Sequence, residues 1–189
     1  MLFGGNMTNR IVCICVISLL ALASTVSPAW AQAETITATA SVRNASGAAT
    51  SAPLTVVVDR FATDAERDSL LAAVKSGGTA AARELLAKQR DAGTLQLGSQ
   101  RVAVKYAYAR NVGSGRLITV ITAQPIGGPD VKPKPGFDLG LALLELTASG
   151  PGHGELSPAA KVRIDGQGAI VTEGATPADT VQLSNVAKK

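Results

Sequence analysis

Hydrophobic positions recur with a period of two along most of the chain after residue 34, which is typical of β-strands. Residues 34–42 alternate threonine with small apolar residues, and residues 54–61 include three consecutive valines. Residues 101–110 alternate throughout, so we expect them to form one strand with the valines and tyrosines on one face. Residues 117–123 are apolar on both faces, which predicts a central strand.

The C-terminal third continues this pattern. In residues 137–148 the apolar phase slips by one position at Leu143 and Leu144, which predicts a β-bulge there. Gly140 on this strand predicts a close approach of neighbouring groups. The glycine-rich residues 149–154 are expected to form a turn. Shorter strands follow, two of them joined by a tight turn at residues 165–168, and a last strand at 181–186.

One segment has a helical period instead. Thr63 and Glu66 have the spacing of a capping box, in which each side chain accepts a hydrogen bond from the other residue's backbone N–H. Apolar stripes follow on both sides of Gly77 and Gly78. Because two glycines interrupt the pattern, we predict two helices that fold back as an antiparallel hairpin near residues 63–91.

Together these elements predict a mainly β, α+β fold. Short turns join successive strands, so the sheet is expected to be antiparallel. About seven to nine strands are compatible with either a barrel or a two-layer sandwich, with the helical hairpin as an insertion. The expected bulge and long curved strand favour the barrel.

The first 31 residues have the layout of a secretory signal peptide. Arg10 precedes thirteen apolar or small residues, and Ala29 and Ala31 are the small residues expected at the cleavage site. We therefore expect residues 1–31 to be removed and residues 32–189 to form a single secreted β-rich domain. Cleavage after Ala33 and a retained anchor are the alternatives, and Met7 is an alternative start to Met1. The apolar run at residues 11–23 is too short to span a bilayer comfortably, and cleavage would remove it. No membrane span is therefore expected in the remaining domain.

Composition narrows the chemistry of the exported domain. Both cysteines, Cys13 and Cys15, lie in the leader, so cleavage leaves no disulfide, thiol nucleophile or cysteine-bound metal. This pattern is typical of the bacterial periplasm or exterior. The formal charge of +4 falls to +3 without Arg10, which does not by itself indicate a nucleic-acid partner. We expect no cofactor, and the oligomeric state stays open.

Few residues suggest catalysis. His153 is the single histidine and lies among glycines, where it could act as a general base or simply be solvated. There is no Gly-x-Ser-x-Gly elbow, and one histidine without cysteine makes zinc ligation uncommon. Asp59, Asp138 and Glu145 occur within strand patterns, where paired carboxylates could support hydrolysis. We predict no catalytic residue and no metal site.

The best candidate for binding is a basic stretch. No acid occurs between residues 92 and 129, whereas four basic residues do, and parity places Arg110 on the face of the two tyrosines. The predicted ligand-binding residues are Tyr106, Tyr108, Arg110, Arg116 and His153. In the alternative interpretation, the tyrosines are core residues and the basic face is solvated.

Three functions follow from these observations. The first is an exported, non-catalytic binding module of the bacterial envelope or periplasm, with an unidentified small or anionic ligand. The second is a structural or protein-interaction role in the envelope, using a sheet edge or the helical hairpin. The third is a hydrolase that uses His153 or an Asp/Glu pair.

Overall fold

The computed structural model describes residues 33–43, 49–126, 134–166, 168–174 and 179–189. The signal peptide predicted at residues 1–31, with cleavage residues Ala29 and Ala31, lies outside the described residues, as does most of the loop between residues 125 and 136.

Strands dominate the described part of the chain. In order, its elements are β1 (Glu34–Arg43), β2 (Ala49–Val58), α1 (Asp64–Lys88), β3 (Gly93–Leu97), β4 (Gln100–Val104), β5 (Tyr106–Val112), β6 (Gly115–Thr122), β7 (Leu139–Leu146), β8 (Gly152–Ala160), β9 (Val162–Ile164), β10 (Ile170–Thr172) and β11 (Val181–Lys188). Nine strands form one antiparallel sheet in the order β4-β3-β2-β1-β11-β8-β7-β6-β5, and β9 pairs with β10 as a separate hairpin. The mainly β, antiparallel prediction is confirmed.

The sheet curls into a nearly closed barrel because its two outermost strands are consecutive in the chain. Only Lys105 separates β4 from β5, so they act as two halves of one bent strand that pairs first with β3 and then with β6. The backbone N–H of Lys105 donates to the carbonyl of Ile121 at 3.0 Å. The bend also changes the phase, since Val104 belongs to the barrel interior and Tyr106 to the outer face. The prediction of one uninterrupted alternating strand over 101–110 is therefore wrong.

The main core fills the barrel. Every strand of the large sheet contributes inward-facing apolar residues, of which the largest fully buried are Ile36, Leu54, Leu95, Ile118, Leu144 and Leu156. Small residues such as Ala40 and Ala142 share this interior, which keeps it narrow enough to be packed by side chains.

A second core lies outside the barrel, between its wall and α1. Leu70, Val74 and Leu86 of α1 pack with Ile121 and Leu141 of the sheet, and residues of the β9–β10 hairpin join them. This cover explains why β6 and β7 are apolar on both faces. It also explains the pattern at Leu143 and Leu144. At these two leucines, β6 and β8 both pair with β7 in continuous register, so the predicted bulge is absent. Leu143 and Leu144 therefore face opposite sides of the sheet.

The prediction of a turn at residues 149–154 is wrong in its second half, because β8 begins at Gly152. Its glycines reflect close packing. A Cβ on Gly152 would overlap the carbonyl oxygen of Glu145, and one on Gly154 would overlap that of Leu143. His153 therefore lies on a strand and not in a loop.

The helical insertion is confirmed. Thr63 and Glu66 form both hydrogen bonds of the capping box, and Gly77 and Gly78 interrupt the helical backbone of α1. A straight helix of this length would span about 37 Å. Its flanking links nevertheless meet, since the N–H groups of Asp59 and Arg60 donate to the carbonyl of Ala92 at 2.8 and 3.2 Å. The chain must therefore reverse at the two glycines, and Gly78 has the positive φ that permits it.

Both segments of α1 pack against the outer face of the sheet through the second core. Within the described residues, α1 is not apolar enough to form a membrane-spanning helix.

Candidate functional site

A cleft of about 450 Å³ opens on the outer face of the barrel, and we call it the outer cleft. Strands β5, β6 and β7 form its floor. The first segment of α1 forms one wall, and the β9–β10 hairpin forms the other. The residues that line it are Arg67, Leu71, Tyr106, Tyr108, Arg110, Leu117, Thr119, Leu143, Asp165, Gly168, Ala169, Ile170 and Val171. This volume is within the range of small-molecule sites in proteins.

The floor is a regular array of side chains set by strand register. Tyr108 pairs with Thr119, which in turn pairs with Leu143. Two residues further along β5, Arg110 pairs with Leu117 on the same face. Because neighbouring strands lie about 4.8 Å apart, these rows form one continuous surface of alternating polar and apolar groups.

The two tyrosines lie next to each other on this floor. Their ring centroids are 6.3 Å apart, and the ring planes differ by 21°. Tyr106 is only 2% exposed, and its burial raises the pKa of its phenol well above the ordinary value. Tyr108 is half-buried, and both tyrosines line the cleft. Tyr106 also packs in the second core with residues of α1.

Arg67 connects the helix wall to the floor. Its Nη1 donates to the Tyr108 hydroxyl at 2.8 Å, and its guanidinium lies over the Tyr108 ring at 5.4 Å. Hydrogen bonds to Asp68, followed by the one to Tyr108, raise the pKa of Arg67. The Tyr108 hydroxyl in turn donates to Asp64 at 2.9 Å. This network holds the Tyr108 ring in place and already compensates the charge of Arg67.

Arg110 and Thr119 have polar groups that no described residue uses. The Arg110 guanidinium is exposed at the cleft mouth and makes no ion pair or hydrogen bond within the described part of the chain. The same holds for the Thr119 hydroxyl on the floor. The cleft therefore combines apolar surface with one cation and one hydroxyl available to a ligand, which is the usual composition of a binding pocket.

The structure brings together three of the five predicted ligand-binding residues, namely Tyr106, Tyr108 and Arg110. Arg116 faces the barrel interior, where its Nη1 lies 3.0 and 3.1 Å from the two carboxylate oxygens of Glu34 and its guanidinium stacks over Phe61. Arg116 directly precedes Leu117 on β6, so the two side chains point to opposite faces of the sheet. The contacts of Arg116 are those of a structural ion pair.

His153 also lies outside the cleft. Its Nε2 is 3.1 Å from Oε2 of Glu145, and its side chain is 72% exposed. The row that joins Arg110 to Leu117 continues through Glu145 to His153, so the pair lies beyond the cleft's edge on the same outer face. Glu145 is the only described residue in polar contact with its ring, whereas a histidine that activates a side-chain nucleophile needs a hydroxyl or thiol in reach.

Neither of the other acids considered for hydrolysis lines the outer cleft. Asp138 lies 3.8 Å from Arg83 of α1, and Asp59 is exposed where β2 leaves the barrel. Among the described residues, no three acids, histidines or cysteines are arranged to hold a metal ion.

Sequence patterns did not indicate several residues of the cleft. Arg67 and Leu71 belong to the helix, Thr119 and Leu143 to separate strands, and Asp165 to the hairpin, where its carboxylate accepts from the Ala169 N–H at 2.8 Å. The apolar outer faces of β6 and β7 were the available signal, because they show that something covers this side of the sheet.

Comparisons with known proteins add no further information. No protein-family model, no curated protein and no solved structure matches the chain.

Proposed function

We propose that the protein is an exported binding module of the bacterial envelope or periplasm that holds a small molecule in the outer cleft. The observation that supports this most is the cleft itself, where Tyr108, Leu117 and Leu143 offer apolar surface beside the uncompensated guanidinium of Arg110. Export is proposed from the leader at residues 1–31 and the absence of cysteine after it.

The position of the site agrees with the packing of the fold. The barrel interior is filled by side chains, so a ligand would bind on the outer wall, where α1 and the β9–β10 hairpin stand apart and leave part of the sheet uncovered. Both walls are attached to the sheet through the second core. The floor is built on paired strands, which favours a preformed site.

The structural alternative relies on a free sheet edge or on the helical insertion as a docking surface. The apolar residues of α1, including Leu70, Val74 and Leu86, pack against the protein's own barrel. That arrangement leaves mainly polar groups of the helix facing outward, so this observation favours the binding module.

Native and denatured intact mass spectrometry of protein exported by its own leader tests the proposal. We expect a denatured mass that corresponds to cleavage after Ala31, and a native mass with an excess that disappears on denaturation. A bare monomer in the native spectrum would contradict the proposed function. A bare multimer would favour the structural alternative. A denatured mass that retains the leader would contradict the proposed processing.

A further inference from the structure

The floor of the outer cleft changes from buried to exposed along β5. Along β5, exposure rises from Tyr106 through the half-buried Tyr108 to the exposed Arg110. The closed end is therefore aromatic and apolar, and the open end is cationic. A molecule that fills the cleft would place an apolar part inside and a charged or polar part at the mouth.

The acids of the helix and of the hairpin already accept hydrogen bonds from other groups of the protein. Asp68 accepts two hydrogen bonds from Arg67, at 2.8 and 3.0 Å, and Asp64 lies 3.3 Å from Arg67 while accepting from Tyr108. The Asp165 carboxylate accepts from its own hairpin. Arg110 is the lining cation whose charge no described residue balances.

We propose that the outer cleft binds a small carboxylic acid with a flat apolar body. This inference rests on the proposed function. The carboxylate lies on the Arg110 guanidinium at the mouth, because that group can donate two parallel hydrogen bonds to a carboxylate. The apolar body lies on Leu117 and Leu143 and meets the ring of Tyr108.

The same arrangement disfavours other classes of ligand. A cation of the same shape would be repelled by the guanidinium of Arg110. The acids around the cleft, Asp64, Asp68 and Asp165, already accept hydrogen bonds from other groups of the protein. A neutral alcohol of the same shape would keep its apolar contacts but lose the charge-assisted hydrogen bonds. The preference for the acid over the alcohol therefore measures the role of Arg110.

Three naphthalene probes of matched shape test this inference by isothermal titration calorimetry: 2-naphthoate, 2-naphthalenemethanol and 2-naphthylmethylammonium. We expect 2-naphthoate to bind about tenfold more tightly than the alcohol, as for a charge-assisted hydrogen bond in a partly open site. The ammonium compound should bind more weakly than either. Arg110→Met should remove the preference for the acid, and Arg110→Lys should retain part of it.

Arg101→Met is the matched control. Arg101 is an exposed arginine of β4 whose Nη2 contacts Thr94 at 3.4 Å, and it is not part of the cleft lining. Its replacement removes the same charge from the protein, so the probe affinities should not change. A change equal to that of Arg110→Met would show a general effect of net charge and would overturn the assignment.

Equal binding of acid and alcohol by the wild-type protein, or a preference for the acid that survives Arg110→Met, would also overturn the inference. So would the absence of binding by all three probes at millimolar concentration. An excess native mass together with any of these results would leave the proposed function standing without this ligand class. A bare native monomer together with no probe binding would contradict both.

Discussion

Arg116 and Glu34 form an ion pair across one end of the barrel. If β4 and β5 are counted as one bent strand, three strands separate β1 from β6 in either direction, so the two residues come from opposite walls. The Glu34 side chain is 6% exposed and that of Arg116 is 33% exposed. Lys188 lies 3.6 Å from Oε2 of Glu34 and gives weaker support from the surface.

Replacing Arg116 with methionine would keep an apolar chain against Phe61 but remove the main partner of the buried carboxylate. Breaking a buried ion pair on one side costs about 3–5 kcal/mol. Because Arg116 is one-third exposed and Lys188 stays in place, we expect a smaller loss than this, about 2–3 kcal/mol of unfolding free energy. For a domain of this size, that corresponds to a fall in Tm of about 5–10 °C.

Urea unfolding at pH 7, followed by circular dichroism, measures this loss. The combined Glu34→Gln and Arg116→Met variant should recover at least about 1 kcal/mol relative to Arg116→Met alone, because no buried charge is left unpaired. Lys161→Met provides the control. It breaks the surface pair with Glu173, in which both side chains are 43% exposed, and should cost at most about 1 kcal/mol. If Arg116→Met lost no more stability than Lys161→Met, the pair would not be holding this end of the barrel together.

Two further predictions concern the cleft floor and the glycine-rich strand. Because burial raises the folded-state pKa of Tyr106, its contribution to stability is complete below about pH 10 and falls by about 1.4 kcal/mol per pH unit above it. Tyr106→Phe should flatten this dependence in urea titrations between pH 9 and 11, and an unchanged slope would refute the assignment. Gly154→Ala should destabilise by about 2 kcal/mol or more because its Cβ would meet the backbone of Leu143, whereas Gly166→Ala, with open space around it, should cost little in the same assay. Equal losses would contradict the close approach of β7 and β8.

Local patterns were sufficient to predict most of the strands, the capping box and the reversal at Gly77 and Gly78, because each depends on neighbouring residues. The shared face of Tyr106, Tyr108 and Arg110 followed from their spacing of two. The break at Lys105 could not be predicted, since it arises where one strand exchanges β3 for β6 as its partner.

The remaining errors have the same origin in long-range packing. Leu143 and Leu144 resembled a bulge because α1 and the β9–β10 hairpin cover the outer face of the sheet. The glycines of β8 resembled a turn because close strand packing also requires glycine. The outer cleft joins Arg67 of the helix to Asp165 of the hairpin, and only the folded chain brings these segments together.

Native mass spectrometry of a variant with a filled cleft shows whether the outer cleft is the site of ligand binding. Thr119 lies on the cleft floor, so Thr119→Trp would occupy the space of the ligand. Thr55→Trp is the control, because Thr55 is a half-buried threonine of β2 that is not part of the lining. We expect an excess mass in the wild-type protein and in Thr55→Trp, and none in Thr119→Trp. An excess mass that persists in Thr119→Trp would show that the ligand binds elsewhere and would contradict its assignment to the outer cleft.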